Sequence, residues 1–156
     1  MNFEDFCAKL EILDEEEGNR VRDKYIEKFV DAKHPLYESQ IKHRHKFSDG
    51  YCYEGYLWDY LKSKYFIEKE KIGEKAKTLG TIYVFWDIHS CERIFVKNYW
   101  KFGKNTVLKL PFSILMEGQQ YLPEDIYIFD EKMTWTFVIT HEDIDGTCYC
   151  LKSGNI

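Results

Sequence analysis

The stretch from Leu122 to Glu142 (LPEDIYIFDEKMTWTFVITHE) limits the possible folds more than any other part of the chain. It contains two runs rich in aromatic and β-branched residues, Asp125 to Phe129 and Trp135 to Thr140, and such residues favour strands. Pro123 leads into the first run, and the polar residues 130–132 separate the two runs. The pattern therefore predicts a β-hairpin that forms the centre of a sheet.

The register of this hairpin decides which side chains share a face, because a slip of one residue exchanges the two faces. With a loop from Asp130 to Thr134, one face holds the apolar residues Tyr127, Phe129, Trp135, Phe137 and Ile139. With a loop that starts at Glu131, that face holds Ile126, Ile128, Trp135, Phe137 and Ile139. In both registers the opposite face keeps Val138 and two further apolar residues. We therefore expect both faces to be covered.

Further segments have the composition of strands. Thr81 to Trp86 is an almost continuous β-forming run, Glu92 to Val96 is expected to be its neighbour, and Thr147 to Leu151 adds a last strand. Residues alternate from Leu36 to Phe47, which favours an edge strand that ends at the turn residues 49–50. With the hairpin, these segments predict an antiparallel sheet of about five strands.

Apolar residues recur at helical spacing in three segments. The first runs from Phe3 to Leu10 behind the capping residue Asn2, and the second runs from Arg20 to Ala32. The third, from Tyr51 to Lys64, carries an aromatic stripe, which predicts a helix lying on the sheet. The sequence therefore predicts an α+β fold in which N-terminal and central helices pack on an antiparallel sheet.

Two segments have weaker patterns. Alternating charges from Lys69 to Lys77 are typical of a solvated helix end or a mobile linker, so residues 68–80 form a candidate mobile segment. The segment from Thr106 to Met116 is compatible with a helix only if Pro111 lies near the helix start or breaks the helix.

Length and composition indicate one ordinary domain over residues 1–156, because 44% of the chain is hydrophobic and 17% is aromatic. Glu4 and Asp5 stand where a secretory signal would carry basic residues, and no apolar run reaches the ~20 residues of a membrane span. The five cysteines lack the spacing of a disulfide framework, which suits reduced thiols. These features predict a cytoplasmic protein without a membrane segment.

Short constellations of reactive residues suggest chemistry, but each has a structural explanation that we favour. His89, Ser90 and Cys91 place a possible base beside two possible nucleophiles. Adjacency along the chain does not bring such groups within hydrogen-bonding reach, which favours a polar turn with a buried Cys91. His141 and Glu142 lie at a strand end, where the sequence offers them no catalytic partner.

Two further pairs have a spacing that places potential metal ligands on one face of a strand, His43 with His45 and Cys148 with Cys150. The histidines could bind one metal ion if Cys52 or a distant acid completed the ligand set, whereas the cysteines lack a second pair to complete four zinc ligands. We therefore predict no metal and no cofactor, and we interpret the two cysteines as small side chains packed in the core.

The tract from Lys42 to Lys46 is basic and lies among aromatic residues, as in surfaces that bind single-stranded nucleic acid. The net charge of the chain is −5, which disfavours binding through phosphate neutralisation. The tract is therefore interpreted as an edge strand protected by its charges, and nucleic acid is an unfavoured partner.

Acidic residues dominate between Glu117 and Asp145, where eight acids stand against the single base Lys132. If the strands pair as predicted, four acids converge at one end of the sheet: Glu124, Asp125, Glu142 and Asp143. A negative patch on a rigid scaffold accelerates association with a basic partner. The candidate partner-binding residues are the acids at the strand ends and turns: Glu124, Asp125, Asp130, Glu131, Glu142, Asp143 and Asp145.

The phrase LPEDIYIFD at 122–130, followed by residues 135–136 (WT) and 140–142 (THE), resembles a pattern in small, mostly uncharacterised bacterial proteins, some of which resemble immunity proteins that neutralise polymorphic toxins. The resemblance implies no catalytic residues. We therefore expect a non-enzymatic cytoplasmic binding protein whose acids cover the basic active site of a nuclease-like toxin. Two alternatives are a small enzyme that uses His89, Cys91 or His141 in an aromatic pocket, and a nucleic-acid-binding module that uses residues 42–46.

Overall fold

The computed structural model describes residues 1–93 and 98–155 of the chain. Its helices are α1 Phe3–Ala8, α2 Glu15–Phe29, α3 Lys69–Glu74, α4 Tyr99–Phe102 and α5 Phe112–Gly118. Its strands are β1 Glu11–Ile12, β2 His45–Phe47, β3 Gly50–Cys52, β4 Tyr65–Phe66, β5 Thr81–Phe85, β6 Leu108–Pro111, β7 Ile126–Asp130, β8 Trp135–Ile144 and β9 Thr147–Gly154. The predicted α+β class is confirmed.

Seven of these strands form one antiparallel sheet in the order β1-β6-β5-β7-β8-β9-β4, with the predicted hairpin β7-β8 near its middle. The sheet is larger than the predicted five or so strands. Both edge strands, β1 and β4, contain two residues each, which is too short for an alternating pattern to show in the sequence.

The hairpin adopts the register of a loop that starts at Glu131, because Ile126 lies opposite Ile139 and Ile128 lies opposite Phe137. The carboxylate of Asp130, the last residue of β7, accepts hydrogen bonds from the backbone N–H groups of residues 134 and 135 at 2.7 and 3.2 Å. Asp130 therefore closes the hairpin turn.

Helices cover both faces of the sheet, as the two apolar faces of the hairpin predict. On one face, Phe6 of α1 and Phe112 of α5 are buried with Ile128 and Phe137. On the other face, the ring of Tyr25 from α2 lies 4.8 Å from that of Phe129.

The first two helices begin at acidic or amide caps. The side-chain oxygen of Asn2 accepts a hydrogen bond from the backbone of Asp5, and that of Asp14 accepts one from Glu17, both at 2.8 Å. The α2 helix therefore starts earlier than its apolar pattern indicates, with acids 14–17 at its positive end. In residues 1–93 and 98–155, no helix is long and apolar enough to cross a membrane.

The helix predicted from Tyr51 to Lys64 is wrong. Only Leu57–Tyr60 forms a short 3-10 turn, and Gly50–Cys52 is strand β3. Backbone donors in this segment bond outside it, as when the N–H of Gly55 donates to the carbonyl of Gln40 at 2.9 Å. Tyr53, Trp58 and Tyr60 are buried as predicted, whereas Tyr56 is half-buried and Tyr51 is exposed. Long-range hydrogen bonds hold these residues in a loop, although their spacing in the sequence is that of a helix.

The strand predicted from Leu36 to Phe47 is only partly correct. Glu38–Lys42 forms a π-helical turn, and the extended part is confined to β2. The β2 strand pairs with β3 in a separate two-stranded sheet, which turns through Gly50 at φ +110°. A positive φ of this size favours glycine.

Pro111 divides the segment from Thr106 to Met116, because β6 ends at this residue and α5 begins directly after it. In the candidate mobile segment 68–80, helix α3 buries Ile72 completely, and the mobility of the segment stays a prediction. The strand predicted over residues 92–96 lies mostly outside the described residues, and β5 pairs with β6 and β7.

Candidate functional site

The end of the hairpin opposite its turn is organised by one carboxylate and one imidazole. Asp125 Oδ1 accepts a hydrogen bond from the backbone N–H of His141 at 2.6 Å and lies 2.8 Å from Nδ1 of the same residue. Asp125 Oδ2 lies 3.0 Å from that Nδ1. A carboxylate beside Nδ1 favours the tautomer with the proton on Nδ1, which leaves Nε2 as the acceptor of the neutral ring.

Asp125 is almost completely buried, whereas the side chain of His141 is 36% exposed. Burial raises the pKa of Asp125 above its usual value, although the hydrogen bonds from His141 act in the opposite direction. The Asp125 carboxylate is therefore a fixed internal support for His141, and its oxygens are not free to bind a partner directly.

Two stacked aromatic rings lie beside this pair. Tyr56 and Trp58 stack with ring centroids 4.1 Å apart, and the His141 ring is 5.5 Å from Tyr56 and 5.8 Å from Trp58. The buried His89 makes an edge contact with Tyr56 at 4.8 Å, and its Nε2 is 2.8 Å from the carbonyl oxygen of Gly55. The loop that carries the aromatic rings thus contacts β8 through His141 and the segment after β5 through His89.

Asp87 also fixes the loop that carries Tyr56 and Trp58. Its carboxylate accepts hydrogen bonds from the hydroxyls of Tyr53 and Tyr127, both at 2.7 Å, and from the backbone N–H of Leu57 at 3.1 Å. The Tyr127 hydroxyl in turn accepts a hydrogen bond from the backbone N–H of Trp58 at 3.0 Å. Burial, followed by the charge of Asp87, raises the pKa of both tyrosines well above their usual value.

Arg22 supplies a buried positive charge near Asp87. Its Nη1 donates to the carbonyl of Trp86 at 2.9 Å, and its guanidinium carbon lies 4.2 Å from the centroid of the Phe85 ring. Burial lowers the pKa of Arg22, and the charge of Asp87 is among the effects that oppose this shift. We interpret Arg22 and Asp87 as structural, because both lie under the loop and are shielded from solvent.

The seven candidate partner-binding acids fall into different surroundings. Glu124 and Glu142 are exposed and adjoin the Asp125–His141 pair along the chain, and Asp143 and Asp145 are exposed further along β8 and its turn. We call Glu124, Asp125, Glu142 and Asp143 the acidic end of the hairpin. Asp130 and Glu131 lie at the other end, about 17 Å away at the usual rise of a strand.

A further acid, which the sequence analysis did not single out, belongs near this surface. Asp59 is exposed, and its pKa is raised by partial burial and by the negative charge of Glu142, while the positive charge of Lys64 opposes the shift. The carboxylates of Asp59 and Glu142 also contribute to the raised pKa of the half-buried Tyr149, after burial itself. Lys64 Nζ donates to the backbone carbonyls of Trp58 and Asp59, both at 3.0 Å, so a positive charge lies beside these acids.

A cleft of about 510 Å³ opens on the α5 side of His141. Its lining is mixed, with polar Lys69 and Glu124, apolar Met116 and Leu122, and the thiol of Cys148. The structure therefore brings His141 and Cys148 to one cleft.

The structure does not arrange His89, Ser90 and Cys91 as a catalytic set. His89 bonds to Gly55, whereas Ser90 Oγ donates to Asp49 Oδ1 at 2.9 Å and the backbone N–H of Cys91 donates to Asp49 Oδ2 at 3.0 Å. Burial raises the pKa of the Cys91 thiol, which disfavours the reactive thiolate. The geometry is that of a polar turn, but Cys91 is half-buried and not fully buried as the sequence suggested.

The histidine pair and the basic tract have acidic neighbours. The rings of His43 and His45 are 4.7 Å apart, and His45 Nε2 lies 3.5 Å from Glu54. Lys42 forms an exposed ion pair with Glu38 at 3.5 Å. In the part of the chain that the structure describes, no group of three or more His, Cys, Asp or Glu residues could hold a metal ion.

Sequence reasoning missed the part played by Asp87 and by the Tyr56–Trp58 pair. The signal available was an acidic residue directly after the buried run 81–86, together with a glycine and aromatic residues at 55–58. A charge placed next to a buried strand indicates either a turn or an internal network, and only the tertiary structure distinguishes them.

The fold and this site define an α+β protein with one large antiparallel sheet. Its central hairpin ends in a buried carboxylate paired with a partly exposed histidine, and exposed acids flank this pair. Comparison of the chain with known protein families, curated proteins and solved structures finds no match.

Proposed function

We propose that the protein is a non-enzymatic cytoplasmic binding protein of the immunity type, which captures a basic, nuclease-like toxin through the acidic end of the hairpin. The observation that carries this proposal is the placement of exposed Glu124 and Glu142 beside the Asp125–His141 pair, with Glu124 just before the start of β7 and Glu142 on β8. Carboxylates held on a rigid scaffold attract a basic partner and select its orientation.

Rigidity of the surface supports the proposal. Asp125 fixes both the backbone and the ring of His141 where a β-bulge between Ile139 and Asp143 interrupts the pairing of β8 with β9. The Thr140 hydroxyl also donates to the carbonyl of Tyr149 at 2.6 Å, so side-chain hydrogen bonds hold this bulge in place. A preorganised surface loses little conformational entropy when it binds, so more of the interaction energy appears as affinity.

The aromatic neighbours also support it. Tyr56 is half-buried beside His141, and the side chain of Trp58 is stacked beneath it. Tyrosine and tryptophan are enriched at the centres of protein interfaces, and their faces attract arginine and lysine. A basic loop from a partner would meet a carboxylate and an aromatic face at the same place.

The test compares two double charge reversals. Glu124→Lys with Glu142→Lys changes the acidic end, and Asp23→Lys with Glu27→Lys makes the same change of charge at two exposed positions of α2, outside the seven candidate acids. Asp125 is left intact because its reversal would bury an unpaired charge. Each form is immobilised and used to capture proteins from cells that produce the chain, and bound proteins are identified by mass spectrometry.

We expect the wild-type protein and the control to retain the same basic protein, and the acidic-end variant to bind it at least about tenfold more weakly. The captured protein should degrade nucleic acid, and addition of the wild-type chain should inhibit it. Equal binding by both variants would remove this surface as the interface. A captured protein without nuclease activity would remove the toxin assignment.

A second candidate function is a small enzyme in which His141 acts as a general base. The observation that favours it is the buried carboxylate on Nδ1 of a partly exposed histidine that lines a cleft. We would assay the protein and His141→Gln with chromogenic esters and phosphodiesters. Turnover that the variant loses, while it keeps the fold by circular dichroism, would favour the enzyme over the binding protein; equal rates for both forms would reject it.

A further inference from the structure

Cys148 and Cys150 bring two thiols together below the cleft beside His141. Their sulfur atoms are 3.5 Å apart, because alternate residues of β9 point to the same face of the sheet. The Cys148 thiol also donates to the carbonyl of Thr140 at 3.4 Å. Both thiols are free, so their sulfur atoms are available to bind another group.

Solvent reaches the pair at Cys148, which lines this cleft and also a second one of about 440 Å³ beside Glu68 and Glu70. Cys148 is half-buried and lines the cleft, whereas Cys150 is completely buried beneath it in the core. A ligand that enters through the cleft therefore meets Cys148, and Cys150 lies behind it with its sulfur 3.5 Å from that of Cys148.

From this arrangement we infer that Cys148 and Cys150 form a two-thiolate site for a soft monovalent metal ion, Cu(I). Thiolates select soft ions, and metal–sulfur bonds of about 2.3 Å place two sulfurs on one ion at most about 4.6 Å apart. The observed separation of 3.5 Å lies within that limit. A rotation of the half-buried Cys148 side chain widens it toward linear coordination.

The number of ligands selects Cu(I) over Zn²⁺. A structural zinc site uses four ligands, and the described residues contain no group of three or more suitable side chains. Two thiolates are sufficient for Cu(I), which accepts linear two-coordinate geometry. The sequence spacing alone favoured simple packing of the two cysteines, and the measured sulfur separation and the access from the cleft are what add a binding function.

Charge balance supports the same assignment. Binding forms two S–Cu bonds, breaks two S–H bonds and releases both protons to solvent, with no change in oxidation state, so the site gains one net negative charge. Lys69 lines the same cleft as Cys148, so its ammonium group places a positive charge on the side from which an anionic bis-thiolate complex would be reached.

The experiment uses the full chain, reduced and kept free of oxygen. Cu(I) is supplied as its coloured bicinchoninate complex, and loss of that colour measures transfer of copper to the protein. We expect one Cu(I) per chain, with Cys148→Ser and Cys150→Ser each weakening binding at least about 100-fold, since linked ligands gain about 10²–10⁴ over single ones. Cys7→Ser is the matched control, because Cys7 is equally half-buried but distant in the sequence, and it should bind like the wild type.

Circular dichroism of each variant separates loss of the site from loss of the fold, and Cys148→Ser is the more tolerant change because Cys148 is half-buried. Wild-type protein that takes no copper from the indicator would overturn the assignment, as would equal transfer to wild type and Cys148→Ser. Stoichiometric binding of Zn²⁺ with no binding of Cu(I) would also overturn it.

Discussion

Removal of a single hydroxyl from Tyr127 should destabilise the protein far more than the same change elsewhere in the core. The Tyr127 hydroxyl donates to Asp87 at 2.7 Å and accepts from the backbone N–H of Trp58 at 3.0 Å. Tyr127→Phe therefore removes a hydrogen bond to a charged group, worth about 1.5–3 kcal/mol, and leaves a buried N–H unpaired, which costs about 1–3 kcal/mol. Because such contributions are only partly additive, we expect a loss of about 3–5 kcal/mol.

Tyr25→Phe is the matched control because it removes a hydroxyl from an equally buried tyrosine. The Tyr25 hydroxyl contacts only the neutral Thr136 Oγ1 at 2.8 Å, and that hydroxyl keeps its bond to the carbonyl of Ile128 at 2.9 Å. The control should lose about 1 kcal/mol. Tyr53→Phe should fall between the two, because the oxygen of Asp87 that it contacts keeps the N–H of Leu57.

Unfolding by urea, followed by tryptophan fluorescence and circular dichroism, measures these differences. We expect unchanged denaturant slopes and a clear order, with Tyr127→Phe least stable and Tyr25→Phe closest to the wild type. For a chain of this size, the Tyr127 variant should melt about 10 °C lower. If Tyr127→Phe and Tyr25→Phe agree within 1 kcal/mol, the network around Asp87 does not stabilise the loop that carries Tyr56 and Trp58.

The remaining predictions concern Asp49, which accepts hydrogen bonds from Ser90 and Cys91 and lies 3.3 Å from Lys104. Asp49→Asn should cost about 1–2 kcal/mol at pH 7, because it removes charge-assisted hydrogen bonds that attach the β2-β3 hairpin to the sheet. The backbone bond from Cys91, above all, lowers the pKa of Asp49, so its contribution is present above the unfolded pKa of about 3.9 and is lost as the pH falls through the lower folded value. The stability difference between the wild type and the variant should therefore stay constant from pH 7 to about pH 4 and shrink as the pH falls further. A difference that does not shrink on further acidification, down to the acid limit of the folded state, would contradict this reasoning.

The central hairpin could be predicted from the sequence because its strands combine local propensity with two apolar faces. Either register buried Trp135, Phe137 and Ile139 together, and the choice between the registers depended on whether Asp130 ended the strand or began the loop. In the structure Asp130 is the last residue of β7, and its side chain also closes the turn. A side-chain hydrogen bond of this kind is not visible in the alternation of polarity.

The loop from Tyr51 to Lys64 could not be predicted, and the reason lies in its partners. Its aromatic residues have helical spacing and most are buried, but its backbone donors bond to Gln40 and Asp87, far away in the sequence. A pattern of polarity reports which residues are buried and carries no information about where backbone hydrogen bonds go. The same long-range hydrogen bonds therefore explain why the helix prediction was wrong and why the role of Asp87 was overlooked.

This network also explains why the candidate site needs the whole fold. The Tyr127 side chain projects from the central sheet on the α2 side, and its hydroxyl bonds to Asp87 and to the backbone of Trp58. His141, on the neighbouring strand, contacts the ring of Trp58. The acidic end and the aromatic rings are thus fixed by elements that are distant in the sequence and meet in the folded sheet. A change in either element should alter the position of His141 relative to Tyr56, and hence the surface offered to a partner, even when the acids themselves are unchanged.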